Sequence, residues 1–272
     1  MNSRKTVADT YWLKQKTDEP LFADLIWSRP ETKQQAGKLL IVGGNQYGFA
    51  APAEAYGAAT NAGIGSTRVM LPLSIKKVAG KLLPGLEFAA NTPSGSFSQS
   101  ALGEFLEQAA WADGVLFAGD LGRNSETAIL IESFLTKHAG QTTITKDAAD
   151  YCLAIPKIIL NRKDTLLVLD MSQLQKLGTA GHHTTAFKLG MDLIHLVEGL
   201  HDFTSKYPVN ILVKHHTKMV VAVNGQVSTT NLETDLPIWQ VSTATHASVW
   251  WLQNPTKPFE ALCTSVGKFI RE

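Results

Sequence analysis

The sequence predicts an α/β fold with a mostly parallel central sheet. Short apolar segments alternate along the chain with longer segments of helical character, as strands and helices do in folds of this class. Asn224-Gly225 separates two further strand-like segments near the end and predicts one late hairpin. With 272 residues, 44% of them hydrophobic, the chain is long and apolar enough to bury one large core.

The predicted strands are short, and the segment 39–42 is fully apolar, which is expected where helices cover both faces of a sheet. The predicted strands cover 39–42, 66–73, 114–119, 142–145, 165–170, 210–214 and the two arms of a hairpin over 219–230. The predicted helices cover 18–27, the Ala-rich segment from Pro52 to Ala62, 99–110, 125–138, 147–153, 184–207, 243–253 and 258–269. We assign residues 1–36 to an N-terminal arm and residues 37–272 to a single domain.

The composition limits the classes of partner. The 25 basic and 24 acidic residues give a net charge of +1, so no nucleic-acid partner is expected. No apolar segment reaches the roughly 18–20 residues that a membrane span needs, so no membrane association is expected. Cys152 and Cys263 form no CxxC pair and no secretory leader is recognised, so the expected location is the cytoplasm. The two His-His pairs lack ligand spacing, and no metal site is predicted.

The most informative segment is 37–66, GKLLIVGGNQYGFAAPAEAYGAATNAGIGS. An apolar strand enters Gly43-Gly44, and an Ala-rich helix follows, as at the beginning of many nucleotide or phosphate sites. Ligands of such folds collect at the carboxyl ends of the strands. A glycine pair alone is a weak signal, and a tight strand-to-helix turn is an equal alternative. The other predicted strand ends carry Gly119-Asp120, Asp147, Asp170 and Lys214.

Residues 37–73 resemble the opening of the NAD(P)H-hydrate dehydratase family, within the ribokinase-like superfamily. The resemblance covers a strand, a double glycine, an Ala-rich helix and a Gly-x-Gly, without a gap. ADGVLFAGDLGRNSET, at 112–127, is similar to the family's strand running into a Gly-Pro-Gly-Leu-Gly loop. NILVKHHTKMVVAVNGQVSTTN, at 210–231, is similar to its Lys-Gly strand and hairpin. The resemblance implies a ribokinase-like three-layer α/β/α domain.

Members of this family use ATP or ADP to remove water from hydrated NADH or NADPH, a cofactor-repair reaction. The resemblance therefore implies ATP or ADP as the cofactor, with or without Mg²⁺, and hydrated NADH or NADPH as the ligand. It also implies a homo-oligomer. The implied nucleotide-binding residues are Lys214, Asn224, Gly225, Ser242, Thr243 and Thr245. The implied substrate-binding residues are Gly43, Gly44, Asn45, Gly119, Asp120 and Gly122. The implied catalytic residues are Asp147 and His246, the latter at the position of the family's catalytic aspartate.

Several family motifs are altered in this sequence. Asp120 puts a carboxylate where a negatively charged ligand would approach, and the family's Lys-Gly becomes Lys214-His215. The Gly-Thr-Gly-Asp helix start becomes TATH, at 243–246, whose Cβ atoms hinder close backbone approach. Ser242 and Thr243 are predicted to cap this helix, and His246 is a substitute base.

These changes favour an alternative function, that of a non-catalytic ribokinase-like paralogue acting as a ligand-binding, regulatory or assembly protein. A third hypothesis is a kinase for a sugar or vitamin precursor.

Several single residues also have a structural alternative. Asp120 is either a ligand of a metal or ribose or a loop carboxylate, Asp147 and Asp170 are either cleft residues or helix caps, and Lys214 either holds a phosphate or is a solvent lysine.

Overall fold

The chain folds around one sheet of ten strands. The structure is a computed structural model and describes residues 10–16, 19–80, 84–232 and 239–269. The strands are β1 (Trp12–Gln15), β2 (Lys38–Gly43), β3 (Ser66–Pro72), β4 (Leu86–Ala89), β5 (Gly114–Gly119), β6 (Gln141–Thr145), β7 (Thr165–Leu169), β8 (Asn210–His215), β9 (Lys218–Val223) and β10 (Gln226–Asn231). Their order across the sheet is β1-β10-β9-β8-β7-β6-β5-β2-β3-β4. All pairs are parallel except the two made by β9, which confirms the predicted parallel sheet with one late hairpin.

Helices cover both faces of the sheet. They are α1 (Ala23–Trp27), α2 (Ala50–Asn61), α3 (Lys76–Ala79), α4 (Leu102–Trp111), α5 (Ser125–Lys137), α6 (Lys146–Leu153), α7 (Pro156–Ile159), α8 (Met171–Ala180), α9 (Leu193–Lys206), α10 (Gln240–Gln253) and α11 (Pro258–Phe269). One face packs against α1, α2, α3, α10 and α11, and the other against α4 to α9. The result is three layers. None of the helices in the described ranges is long and apolar enough to cross a bilayer.

The central residues of strand β2 are apolar because both faces of the strand are buried. Leu39 and Ile41 enter the core on one face of the sheet, and Leu40 and Val42 enter the core on the other. All four are fully buried. Successive side chains of a strand point to opposite faces, so a strand covered on both sides buries every position, and in β2 these four positions are all apolar.

The N-terminal arm contributes an edge strand that the sequence does not predict. Strand β1 pairs in parallel with β10, with Trp12 opposite Val227. Gln15 is buried, and its Nε2 donates to the Cys263 carbonyl at 2.9 Å. Two of the four strand residues, Lys14 and Gln15, are polar, and so the local pattern gives little strand signal. The predicted helix over 18–27 is shorter, at 23–27, and Asp18 lies outside the described residues.

Two helix starts are set by aspartate caps. The carboxylate of Asp170 accepts the backbone N–H of Gln173 at 2.7 Å, and the Gln173 side chain accepts the Asp170 N–H, which forms a capping box at the start of α8. Asp170 was predicted to be either a cleft residue or a helix cap, and the structure shows it as a cap. The carboxylate of Asp192 accepts the N–H of His195 at 3.0 Å. Helix α9 therefore begins at 193, and the predicted start at 184 is wrong.

The turn between β2 and α2 is closed by tight packing. A Cβ added to Gly43 would lie 2.3 Å from the Gly119 carbonyl oxygen and 2.7 Å from Cγ of Pro52. Gly44 has a φ of +83° and donates its N–H to the Gly119 carbonyl at 3.0 Å. The glycine pair is thus a requirement of the turn itself, whatever the turn binds.

Gly43→Ala is expected to lower the free energy of unfolding by about 1–3 kcal/mol, because the new methyl group collides with the backbone of β5. Gly57→Ala is the matched control on α2, where a Cβ would meet nothing within 4 Å. That change is expected to raise the free energy of unfolding by about 0.5–1 kcal/mol, because alanine is a better helix former. Urea titration of the three proteins measures both effects. Equal stability of Gly43→Ala and the original chain would contradict the packing described.

Candidate active site

Three adjacent strands bring most of the predicted substrate residues together at the carboxyl edge of the sheet. The segment 43–45 ends β2, the segment 119–122 ends β5, and Asp147 follows β6. The Asn45 side-chain amide donates to the Asp120 carbonyl at 2.6 Å. The N–H of Gly122 donates to Oδ2 of Asp147 at 3.2 Å. The predicted substrate-binding set and Asp147 therefore form one connected cluster.

The carboxylate of Asp120 is the centre of this cluster. Its Oδ2 accepts the backbone N–H of Ala51, in the first turn of α2, at 2.7 Å. Its Oδ1 accepts a hydrogen bond from Nζ of Lys146 at 3.2 Å. An anion is stabilised at a helix N-terminus, and here the protein supplies that anion itself. With a side chain only 24% exposed, Asp120 is not a free loop carboxylate.

Asp120 and Lys146 both have left-handed backbone conformations, with φ of +59° and +51°. Such values are uncommon for residues other than glycine, and they concentrate at functional sites. The Lys146 carbonyl accepts a hydrogen bond from Nε2 of Gln173 at 2.8 Å. Oε1 of Gln173 in turn accepts one from Gln240 on α10 at 3.4 Å. This chain of contacts links the end of β6 to the start of α10.

Burial raises the pKa of Asp147 above its ordinary value, and the nearby negative charge of Asp120 adds to the effect, although the hydrogen bond from Gly122 opposes it. Asp147 lies in the first turn of α6, whose N-cap position is Thr145. It is therefore a cleft residue and not the cap of that helix. Its proton is held more firmly than that of a solvent carboxyl.

Helix α10 begins at Gln240, which corrects the predicted start at 243. Trp239 occupies the N-cap position without a side-chain cap, so the prediction that Ser242 and Thr243 cap the helix is wrong. The N–H of Thr243 already bonds to the Trp239 carbonyl, and the N–H groups left at the helix end belong to residues 240–242.

Three predicted site residues lie deeper in the same helix. Thr243 and Thr245 are buried, and His246 is 4% exposed. Oγ1 of Thr245 donates to the Val241 carbonyl one turn back, at 2.7 Å. They are buried because α10 packs against α2, α11 and the strands β5 to β7 on its different sides. The roles implied for them by resemblance remain predictions.

The remaining nucleotide residues are divided between the two edges of the sheet. Lys214 lies near the carboxyl end of β8, on the edge that carries the cluster. Strand β9 runs in the opposite direction, so the Asn224-Gly225 turn lies at the amino edge. There Gly225 bonds to the side chains of His201 and Thr204 on α9. The structure therefore does not bring Asn224 and Gly225 together with the other predicted residues.

A cavity of about 410 Å³, here called the carboxyl-edge cavity, lies between the first turns of α2 and α10. It is lined by Ala50, Ala51, Glu54, Lys146, Trp239, Gln240 and Val241. Oε1 of Glu54 accepts a hydrogen bond from Oγ of Ser242 at 2.7 Å across this cavity. Sequence analysis missed Glu54, Lys146 and Gln240. One signal was available, because Glu54 is the single charged residue in the sequence of α2.

The described residues contain no group of three or more His, Cys, Asp and Glu that could hold a metal ion by themselves.

No protein-family model matches the chain, and no curated protein matches it. Among solved structures, a ribokinase-like superfamily protein from Enterococcus faecalis has a TM-score of 0.71 and 14% identity, over 98% of this chain and 88% of that one. An ADP/ATP-dependent NAD(P)H-hydrate dehydratase from Bacillus subtilis, co-crystallized with ATP/Mg²⁺, has a TM-score of 0.60 and 12% identity, over 92% and 87%. A phosphomethylpyrimidine kinase from Clostridium difficile has a TM-score of 0.55 and 8% identity, over 84% and 96%. These likenesses confirm the predicted ribokinase-like three-layer fold, and at such identities they concern the fold alone.

The raised pKa of Asp147 has a consequence for stability. Between the ordinary pKa of aspartate and the raised folded value, the folded chain binds more protons than the unfolded chain, so stability increases as pH falls through that window. Asp147→Asn imitates the neutral side chain and is expected to be more stable than the original chain at neutral pH. The difference should shrink as pH falls.

Urea unfolding of both proteins at a series of pH values measures this difference. Glu132→Gln, an exposed change on α5, controls for the loss of one negative charge. A lower stability of Asp147→Asn than of the original chain at neutral pH would contradict the assignment.

Proposed function

We propose that this chain is a nucleotide-dependent enzyme that removes water from hydrated NADH or NADPH and consumes ATP or ADP in doing so. The observation that carries the proposal is that a cation, Lys146, and a carboxylate, Glu54, line the same carboxyl-edge cavity. This cavity lies between the cluster at the ends of β2 and β5 and the first turn of α10. These are the two parts that the resemblance assigns to substrate and to nucleotide.

The donors present fit a phosphate group at the α10 side of the cavity. Lys146 supplies an ammonium group that is 37% exposed, and the first turn of α10 supplies N–H groups. The equivalent end of α2 fits an anion less well, because Asp120 already accepts the N–H of Ala51. We therefore place the terminal phosphate of the nucleotide beside Lys146 and Gln240. The phosphate would compete with Asp120 for the Lys146 ammonium.

We place the hydrated nicotinamide over the glycines of the cluster. A second cavity, of about 330 Å³, adjoins them and is lined by Gly122, Asp147 and Tyr151 together with residues of α5 and α6. The Tyr151 hydroxyl donates to the Gly122 carbonyl at 2.6 Å and fixes this loop. Asp147 lines this cavity, where its Oδ2 accepts the N–H of Gly122 and burial raises the pKa of its carboxyl.

In this arrangement the nucleotide is a second substrate, since its terminal phosphate is transferred and lost. Lys146 stabilises the negative charge that grows on that phosphate during transfer. Trp239, which is largely buried, lines the cavity with an apolar side chain.

The test is regeneration of NADH from hydrated NADH by the purified chain, followed by absorbance, with ATP and with ADP. The original chain is expected to regenerate NADH. Lys146→Met is expected to lower kcat/KM by about 10²–10³-fold, because one charge-stabilising donor is lost. Lys157→Met, an exposed change on α7, should leave the rate unchanged.

If the original chain forms no NADH while the Bacillus subtilis dehydratase is active in the same assay, the proposal is contradicted. Nucleotide binding without turnover would then support the non-catalytic paralogue. Transfer of phosphate from ATP to a sugar or a vitamin-precursor alcohol would support the small-molecule kinase.

A further inference from the structure

Glu54 lies at the first turn of α10, although it belongs to α2. Its Oε1 accepts the Ser242 hydroxyl at 2.7 Å, and the two residues are 188 positions apart in sequence. We infer that the Glu54 carboxylate, and not the residue at position 246, accepts the proton of the reacting hydroxyl in this site. The inference rests on the proposed dehydratase function.

Helix geometry explains why Glu54 can take this place. A side chain in a helix leans toward the N-terminus, so a residue at 246 covers the turn that contains Ser242. His246 is buried within the layers around α10 and does not line the carboxyl-edge cavity. Glu54 instead brings a carboxylate to Ser242 from the neighbouring helix. The proposed proton acceptor therefore belongs to α2, whereas the helix start beside it belongs to α10.

The other carboxylates of the site are engaged elsewhere. Asp120 accepts hydrogen bonds from Ala51 and Lys146, and Asp147 accepts one from Gly122 and lines the second cavity. Glu54 accepts a hydrogen bond from Ser242 alone among the described residues. One of its oxygens is therefore available to a substrate, and Ser242 fixes the direction of the other.

The proton transfer is part of a balanced step. The hydroxyl oxygen of the hydrated ring forms a bond to the terminal phosphorus of the nucleotide, and its proton passes to Glu54. The bond from that phosphorus to the bridging oxygen breaks, and its electron pair leaves with the shortened nucleotide. Phosphate then departs with the electron pair of the carbon–oxygen bond, while the ring nitrogen shares its lone pair with that carbon. A neighbouring ring carbon loses a proton to solvent, and the electron pair of its C–H bond forms the carbon–carbon double bond and returns the lone pair to the nitrogen. Glu54 returns its own proton to solvent.

Glu54→Gln keeps the shape of the side chain and an oxygen acceptor for Ser242, but it cannot take up a proton. We expect its kcat to fall by about 10²–10⁴-fold, the usual contribution of a general base. Its affinity for a nonhydrolysable ATP analogue, measured by calorimetry, should stay equal or increase, because a negative charge beside the phosphates is removed. Glu107→Gln, an exposed change on α4, is the matched control and should change neither quantity.

Glu54→Ala with added formate gives a second measurement. Formate is small enough to enter the space left by the side chain, and it is expected to restore about 10-fold of the lost rate to this variant alone. If Glu54 only connects α2 to α10, formate will not restore the rate of Glu54→Ala.

The outcomes separate the two proposals. An original chain that never regenerates NADH overturns the dehydratase function and this inference with it. An active original chain with Glu54→Gln within about threefold of its rate overturns the inference alone. Parallel losses of rate and analogue affinity in Glu54→Gln, with no recovery of Glu54→Ala by formate, also overturn it and assign Glu54 a structural role.

Discussion

Asp120 joins three chain segments through its carboxylate and its carbonyl, and it thereby holds the candidate site together. Asp120 accepts the first-turn N–H of α2 and the ammonium of Lys146, and its own carbonyl accepts the side chain of Asn45. The ends of β2, β5 and β6 are thereby fixed to one another. The same carboxylate fills the anion position at the end of α2. In the proposed function the phosphate of the nucleotide therefore lies at the end of α10, beside Lys146 and Gln240.

The burial of helix α10 determines which of its residues can reach the cavity. Because protein surrounds it from residue 243 to residue 251, these positions serve packing and only its first turn meets the cavity. Helix α10 contains no acidic residue, so a carboxylate at that turn has to come from another element. The Glu54–Ser242 hydrogen bond joins α2 and α10 at this point, and small alanines on both helices allow the close approach that brings the two side chains together.

The sequence was sufficient to predict the parallel sheet, because strand-like and helical segments alternate along it. Its resemblance to a known family implied that 43–45, 119–122 and Asp147 share one site, and they meet because they follow adjacent parallel strands. It misplaced the start of α10, because Ser242 and Thr243 are better caps than Trp239 and the true start is set by tertiary packing. The Glu54–Ser242 pair has no local signal. The position of Asn224-Gly225 depends on the direction of β9, which a turn motif does not reveal.

The pairing of β1 with β10 has a consequence for the order in which the sheet is completed. Gln15 and Thr230 are hydrogen-bonded neighbours although 215 residues separate them. During synthesis the first strand emerges long before its partner exists, and it joins the sheet only after the last hairpin has formed. Until then the outer edge of β10 has unpaired backbone groups, which other chains can join. Strand β1 then becomes the edge itself, with four residues where β10 has six, so a chain shortened by its first strand would fold with a longer open edge.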